Sequence, residues 1–296
     1  MKGKIVIAGG TGFIGRYLSD RFKRDAYTVV IVGRSGQGVV PFQDKEALMH
    51  AVDGAEMVIN LAGKPITSRF TEQNKKELIE SRIETTQAVG EAISSCSNKP
   101  RVWFNASGAH IYGTGDDVAH TEDSPEDHCF FLAHMAAEWE RAFFHYAYTE
   151  VRQIALRISI VLGENGGVLE PFVQLTKWCL GGTQGSGEQW FSWIHIDDFY
   201  RSLIFLHKQA GFSGPVNLCS PHPVRNKELM RTLRQVLHRP IGLPAPAFAI
   251  KIGTSVMGIE SDLILKSLYV HPARLQQEGF RFAYPDIRSA LLEILS

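Results

Sequence analysis

The run Gly9-Gly10-Thr11-Gly12-Phe13-Ile14-Gly15 constrains this chain more than any other stretch. It directly follows a short β-branched run, Lys4–Ala8, and opens an amphipathic stretch, Gly15–Arg24. Three glycines at three-residue spacing serve three purposes. Gly9 makes a tight turn, Gly12 lets a pyrophosphate approach the backbone, and Gly15 lets the helix pack close to the strand. The helix N-terminus then points its free N–H groups at the anion. Gly9, Thr11, Gly12, Phe13, Ile14 and Gly15 are therefore expected to form a dinucleotide-binding turn, against the simpler reading of a loop that only packs tightly.

Further strand candidates are Val29–Val32, Met57–Leu61, Val102–Ala106 and Ile154–Ile160. Amphipathic stretches Lys45–Val52, Glu72–Ser95 and Phe131–Tyr146 lie between them. Apolar runs without alternation suit a parallel sheet covered on both faces. A β-α-β-α order of this kind predicts an α/β doubly wound parallel sheet, with ligand at the carboxyl ends of the strands. After about Gly163 the pattern loosens, and Pro240, Pro244 and Pro246 break the chain before a last helical group. The expected organisation is a Rossmann domain over 1–220, with a lobe-forming insertion near 164–195. A smaller, mainly helical C-terminal lobe on the substrate side follows over 221–296.

The end of the second strand discriminates between dinucleotides. An Asp or Glu about 20 residues past the turn would accept from a ribose 2′-hydroxyl. Here the strand runs into Gly33-Arg34-Ser35 with no carboxylate. A planar guanidinium and a hydroxyl suit a 2′-phosphate, so NADP(H) is the expected cofactor. Small residues at Leu61-Ala62-Gly63, closing the third strand, would let the cofactor lie against the backbone.

Charge narrows the partners. Thirty-one basic residues against 31 acidic ones leave no net charge, which removes the electrostatic case for nucleic acid or an anionic membrane. The uncharged stretch Pro240–Ile250 is too short to span a bilayer, and Met1-Lys2-Gly3-Lys4 leaves no room for a signal peptide before the first strand. The four cysteines are too scattered for a CxxC site or a disulfide framework. The expectation is a cytoplasmic protein, monomer or homodimer, with a small-molecule substrate. His110, His120, His128, His134 and His145, with Asp116, Asp117, Glu122, Asp123 and Asp127 nearby, lack a metal-ligand spacing, so no metal is expected. Trp178, Trp190, Phe191 and Trp193 among glycines could form a stacking platform or pack the lobe.

The motifs GGTGFIG at 9–15, NLAG at 60–63, ASGAHIYG at 106–113, LRISIVLG at 156–163 and WIHIDD at 193–198 resemble those of extended or atypical short-chain dehydrogenase/reductases. The branch is that of the nucleotide-sugar epimerases and dehydratases. SRIETT at 81–86, FLAHMAAEWE at 131–140, GSGEQWFSWIHIDD at 185–198 and HRPIGLPAPAFAI at 238–250 resemble a narrower subgroup of uncharacterised "epimerase family" proteins. The likeness runs almost end to end. It implies NADP(H) binding and a C-terminal domain without an assigned role. It also implies that Arg82 borders cofactor and that Arg157, Trp193 and His195 border substrate.

The resemblance further implies a Ser/Thr and a Tyr-x-x-x-Lys pair, and this sequence departs there. Aligning on Glu138 puts His134 in the lysine position and Phe130 in the tyrosine position. Aligning on Tyr112-Gly113 puts Gly108 in the Ser/Thr slot, with Ser107 one position early. A phenylalanine has no proton to give. The substitutes available are His134, as acid/base or ribose ligand, with Ser107 and Tyr112. Arg157 in an apolar strand needs a buried partner, for which Asp197 or Glu170 are the candidates; Asp197 or Asp198 is expected to cap the helix after His195. The leading expectation is an NADP(H)-dependent epimerase or reductase acting on a small carbonyl or hydroxyl compound, nucleotide-sugar-like or otherwise. Its rival is a non-catalytic protein that holds NADP(H) as a sensory or structural ligand.

Overall fold

The computed structural model describes residues 2–66, 69–115, 117–127, 130–251 and 260–296. Asp116 and His128, two members of the histidine-rich stretch, and Cys129 lie outside the described residues. Seven parallel strands form the main sheet: β1 (Lys4–Ala8), β2 (Thr28–Gly33), β3 (Val39–Pro41), β4 (Met57–Asn60), β5 (Val102–Gly108), β6 (Arg152–Ile158) and β10 (Gly214–Leu218). Their spatial order is β3-β2-β1-β4-β5-β6-β10. The order reverses beside β1, where β2 pairs on one side and β4 on the other, and such a switch point opens the ligand crevice of this architecture.

Both faces of the sheet are buried, which is why its strands read as unbroken apolar runs. Ile5 and Ile7 of β1 pack toward α1 (Phe13–Arg24) and α6 (Ile196–Lys208), with Leu18, Phe22, Phe199 and Leu203. Val6 and Ala8 turn to the opposite core, under α3 (Glu72–Ser95) and α4 (Phe131–Phe144), with Val89, Ile93, Trp103 and Phe143. Beside α3, with Leu48 and Val52 in the same core, lies α2 (Lys45–Val52), whose N-cap Asp44 accepts from the Ala47 N–H at 3.0 Å.

The second lobe is assembled from several separate segments. β7 (Ile160–Leu162) pairs with β9 (Trp193–His195), and β8 (Trp190–Phe191) with β11 (Val224–Arg225). The helices α5 (Leu169–Lys177), α7 (Asn226–Val236) and Ile287–Leu295 close over these pieces through Leu169, Phe172, Leu229, Leu233 and Leu291. Trp193 is fully buried in that core. Among the described residues no helix is long and apolar enough to cross a membrane, and no group of three His, Cys, Asp or Glu is placed to hold a metal ion.

A buried polar network joins sheet, α4 and C-terminal segment. Arg157 on β6 meets Glu140 on α4 in a two-pronged pair, Nε to Oε1 and Nη2 to Oε2, both 2.9 Å. The partner expected from sequence was Asp197 or Glu170; the structure corrects this. Asp197 is engaged elsewhere, by Arg21 at 3.1 Å, while Glu140 lies on the apolar face of α4 that packs toward β6. Ser107 Oγ donates to Glu140 at 2.7 Å. Arg157 Nη1 donates to the Tyr112 hydroxyl at 2.9 Å, and that hydroxyl donates to Asn217 on β10 at 2.8 Å. Burial opposes the charge on Arg157, but the Glu140 carboxylate outweighs it and holds the guanidinium's pKa above its ordinary value. Removing one member of such a pair strands a buried charge. Glu140→Ala is therefore expected to lower unfolding free energy by about 3–5 kcal/mol, measured by urea denaturation. A double change of Arg157→Met with Glu140→Leu should cost clearly less than Glu140→Ala alone.

Candidate functional site

A groove of about 550 Å³ runs along the carboxyl ends of β1, β2 and β4 and brings together Gly9, Thr11, Gly12, Arg34, Leu61, Ala62 and Gly63. The glycines have distinct reasons. Gly9 sits at φ +80°, and a Cβ there would meet Ala62 N at 2.9 Å. A Cβ on Gly15 would strike Gly9 O at 2.5 Å and Gly10 Cα at 2.6 Å, so helix and strand can approach only with glycine. Gly12 differs: a Cβ there would meet only Gly9 O, at 3.4 Å. The protein's own packing does not require glycine at 12, and the space over the turn is open on that side. Gly12 is the N-cap of α1, with no side-chain cap and no acidic residue in the first turn, so the helix presents free N–H groups there. Phe13 and Ile14, in the first turn of α1, do not line the groove but pack against the core beneath the helix. The Phe13 ring turns away, against Gly163, Gly166 and Gly167.

The floor of the groove is held by a second polar network. Asn60 Nδ2 donates to Asn105 Oδ1 at 2.7 Å and to Thr86 at 3.1 Å, and its Oδ1 accepts the Ala62 N–H at 3.1 Å. Trp139 Nε1 donates to Thr86 at 2.9 Å. Asn60 thus fixes the Leu61–Ala62 turn. Arg82 is buried, donates Nη1 to Lys64 O at 3.1 Å and Leu78 O at 2.8 Å, and lies 5.0 Å from the Trp139 ring. Among the described residues no carboxylate pairs with it and its Nε has no partner, and burial lowers its pKa to about 10. Arg34 and Ser35 are exposed at the far end of β2. On the α3 wall Glu77 is paired with Lys64, and Glu80 with Lys76.

The structure separates the remaining sequence-predicted residues from this groove. Ser107 and Tyr112 are buried with their hydroxyls engaged in the Arg157–Glu140 network. Desolvation pushes the Tyr112 hydroxyl up to about 12, against the pull of Arg157. Arg157 is itself enclosed, and Trp193, buried with its indole N–H on His222 O at 3.2 Å, offers no surface to a substrate. His195, expected to border substrate, is instead the N-cap of α6. Its Nδ1 accepts the Asp197 N–H at 3.1 Å, which leaves the proton on Nε2 for Glu293 at 2.8 Å. Neither Asp197 nor Asp198 is that cap: Asp198 is fully buried and accepts from Ala283 N and Tyr284 N, both at 2.8 Å.

On α4, the face toward the end of β5 carries Ala136 and Ala137, packed with Ala109 and Tyr112. His134 is exposed, on the outer stripe with Glu138 and Arg141. Sequence reasoning passed over His110 as a site residue. It stands two residues past Gly108 at the carboxyl end of β5, half-buried, and desolvation lowers its pKa to about 4. The signal was available: a lone histidine at the carboxyl end of a parallel strand.

Comparison with known proteins agrees with this geometry. Residues 5–219 match the model of the NAD dependent epimerase/dehydratase family, and residues 245–294 match a domain of unknown function, DUF1731. The "Epimerase family protein YfhF" of Bacillus subtilis is 35% identical over 308 residues, covering 99% of this chain and 98% of the relative. An Arabidopsis thaliana relative, "Epimerase family protein SDR39U1 homolog, chloroplastic", is 34% identical over 98% of this chain and 86% of its own length. The crystal structure of human epimerase family protein SDR39U1 with NADPH superposes with a TM-score of 0.90 at 29% identity, covering 98% of each chain. A UDP-N-acetylglucosamine 4-epimerase from Bacillus cereus, at 20% identity and TM-score 0.78, shares the fold.

Two predictions follow from the turn and from His110. Gly12→Ala should leave the melting temperature near that of the parent while weakening dinucleotide binding in a fluorescence titration; Gly15→Ala should lower the melting temperature. The lowered pKa of His110 means that the unfolded chain takes up a proton below its ordinary 6.5 that the folded chain refuses. Stability should therefore fall as pH drops from about 6.5 toward 4, and His110→Asn should flatten that slope in urea titrations at several pH values.

Proposed function

The chain belongs to the NAD dependent epimerase/dehydratase family, and from that premise we propose that it binds NADP(H) in the groove over Gly9–Gly15 and applies it to a small carbonyl or hydroxyl compound. The observation that carries this reading is the bare, anion-seeking turn at Gly12, continuous with Arg34 at one end and Leu61–Gly63 at the other. The pyrophosphate would rest on the first turn of α1, and Arg34 with Ser35 would receive the 2′-phosphate. Leu61, Ala62 and Gly63 would line the path toward the end of β5. Arg82, behind Gly63, would hold that turn in place and supply an uncompensated positive charge beneath it. The cofactor bound to the human relative is NADPH, which supports the same choice here. When bound, the nicotinamide supplies the redox chemistry; the chain's own residues bind, orient and exclude water.

The proton-transfer apparatus of the wider family is altered. Phe130 and Gly108 cannot transfer a proton, so appreciable UDP-galactose 4-epimerase activity is not expected. A second reading, a protein that holds NADP(H) without catalysis, is favoured by one observation: Ser107 and Tyr112 are both committed to the buried network. Assaying the purified protein for NADPH oxidation with a panel of small carbonyl compounds separates the two, since only the enzyme reading gives substrate-dependent turnover.

Affinity tests the cofactor assignment. Titrations should show NADPH bound more tightly than NADH, and Arg34→Ala should narrow the gap chiefly by weakening NADPH. Equal affinities in the parent protein would refute the assignment. His134→Gln is expected to change NADPH affinity by no more than about 0.5 kcal/mol, as for an ordinary surface substitution. A turnover loss on the order of 10²–10⁴-fold would instead restore His134 as the acid/base.

A further inference from the structure

Arg82 is a buried cation that the protein leaves without a counter-ion. It is 6% exposed, and among the described residues its surroundings are dipoles only. Its Nη1 donates to two carbonyls, Lys64 O and Leu78 O, its Nε has no partner, and its Cζ lies 5.0 Å from the Trp139 ring. Burial alone acts on its proton affinity, with no neighbouring carboxylate to raise it. Carbonyls and an indole face orient a guanidinium but do not neutralise it. A charge buried on those terms is unfavourable to the protein by itself, so its complement is expected from a ligand.

The ionisable groups around it cancel. Lys64 is paired with Glu77 and Glu80 with Lys76, and at the end of β5 Arg157 is paired with Glu140. Glu84, two residues further along α3, is exposed, where water and salt screen it. The charge of Arg82 is what remains, and Gly63 brings it to the groove. A Cβ on Gly63 would meet Arg82 Cγ at 3.0 Å and Cζ at 3.2 Å. The guanidinium therefore lies directly against backbone that lines the groove.

On the path proposed above, Gly63 leads from the pyrophosphate toward the end of β5, so this charge falls at the nicotinamide end. An oxidised nicotinamide ring carries a positive charge and a reduced ring none, while the phosphates are the same in both forms. A fixed cation beside the path attracts the phosphates equally and repels the oxidised ring alone. We propose that Arg82 sets the redox-state preference of the site, holding NADPH more tightly than NADP⁺ and so raising the two-electron potential of the bound couple. For unit charges about 10 Å apart at an effective dielectric constant of about 20, the preference is on the order of 10-fold, which corresponds to about 30 mV. The bound oxidised cofactor is thereby the stronger hydride acceptor. The proposal rests on the NADP(H) reading above and adds to it the form in which the cofactor is held.

The test titrates the full chain calorimetrically at neutral pH with NADPH and with NADP⁺, as the parent, Arg82→Met and Arg82→Lys. The parent should favour NADPH by on the order of 10-fold. Arg82→Met, which keeps an apolar stem and loses the charge, should lose most of that preference. Arg82→Lys, which keeps the charge and gives up the two-carbonyl geometry, should retain the preference even where affinity for both forms falls. An arginine that only holds the turn in place would weaken both forms alike, so a ratio unchanged in Arg82→Met would overturn the proposal, as would a ratio lost to the same extent in Arg82→Lys. A parent that binds NADP⁺ as tightly as NADPH would overturn it too, and that result needs no variant to fold. If neither form binds the parent, the cofactor reading itself fails and the proposal falls with it.

Discussion

The interaction on which the rest depends is the ion pair of Arg157 and Glu140, both enclosed where β6 meets α4. A guanidinium inside an apolar core is tolerated only if its charge and its donors are met, and here they are met from several elements at once. Glu140 comes from α4, Tyr112 from the turn after β5, and Glu126, at 3.1 Å, from the loop beyond it. The chain of bonds continues through Asn217 to His271 O at 3.0 Å and to Glu122 at 2.9 Å, which ties in the C-terminal segment. Each element is thereby fixed relative to the sheet, and the groove inherits that geometry.

The same network explains the altered chemistry. Ser107 and Tyr112 stand at and just past the carboxyl end of β5, with their hydroxyls spent on structure. Tyr112 is further held by stacking on His120 at 5.4 Å, the planes 2° apart. A phenol so desolvated gives up its proton less readily than a free one.

Much of the fold was legible in the sequence because its signals are local. The glycine turn and the apolar runs of β1, β2, β4, β5 and β6 came out within a few residues, as did α1 to α4. β3 and β10 did not. Val39–Pro41 is three residues long and ends in proline, and Gly214–Leu218 begins Gly-Pro, a signature that reads as a loop but that an edge strand accepts. The cofactor turn was legible for the same local reason. The partner of Arg157 was not, because the choice among carboxylates depends on how a helix face docks on a strand. The one clue was a glutamate set among Ala136, Ala137 and Phe143. The structural roles of His195 and Trp193 were not legible either, because a motif gives a residue's position and not its burial: one caps α6 and the other fills a core.

The central claim is that the groove over Gly9–Gly15 is an NADP(H) site whose specificity end is Arg34. A crystal structure of this protein grown with NADPH tests it most directly. The account predicts the pyrophosphate on the N-terminus of α1, the 2′-phosphate against Arg34 and Ser35, and the nicotinamide beyond Gly63 toward His110. Density for the 2′-phosphate away from Arg34, or a cofactor lying outside this groove, would contradict it.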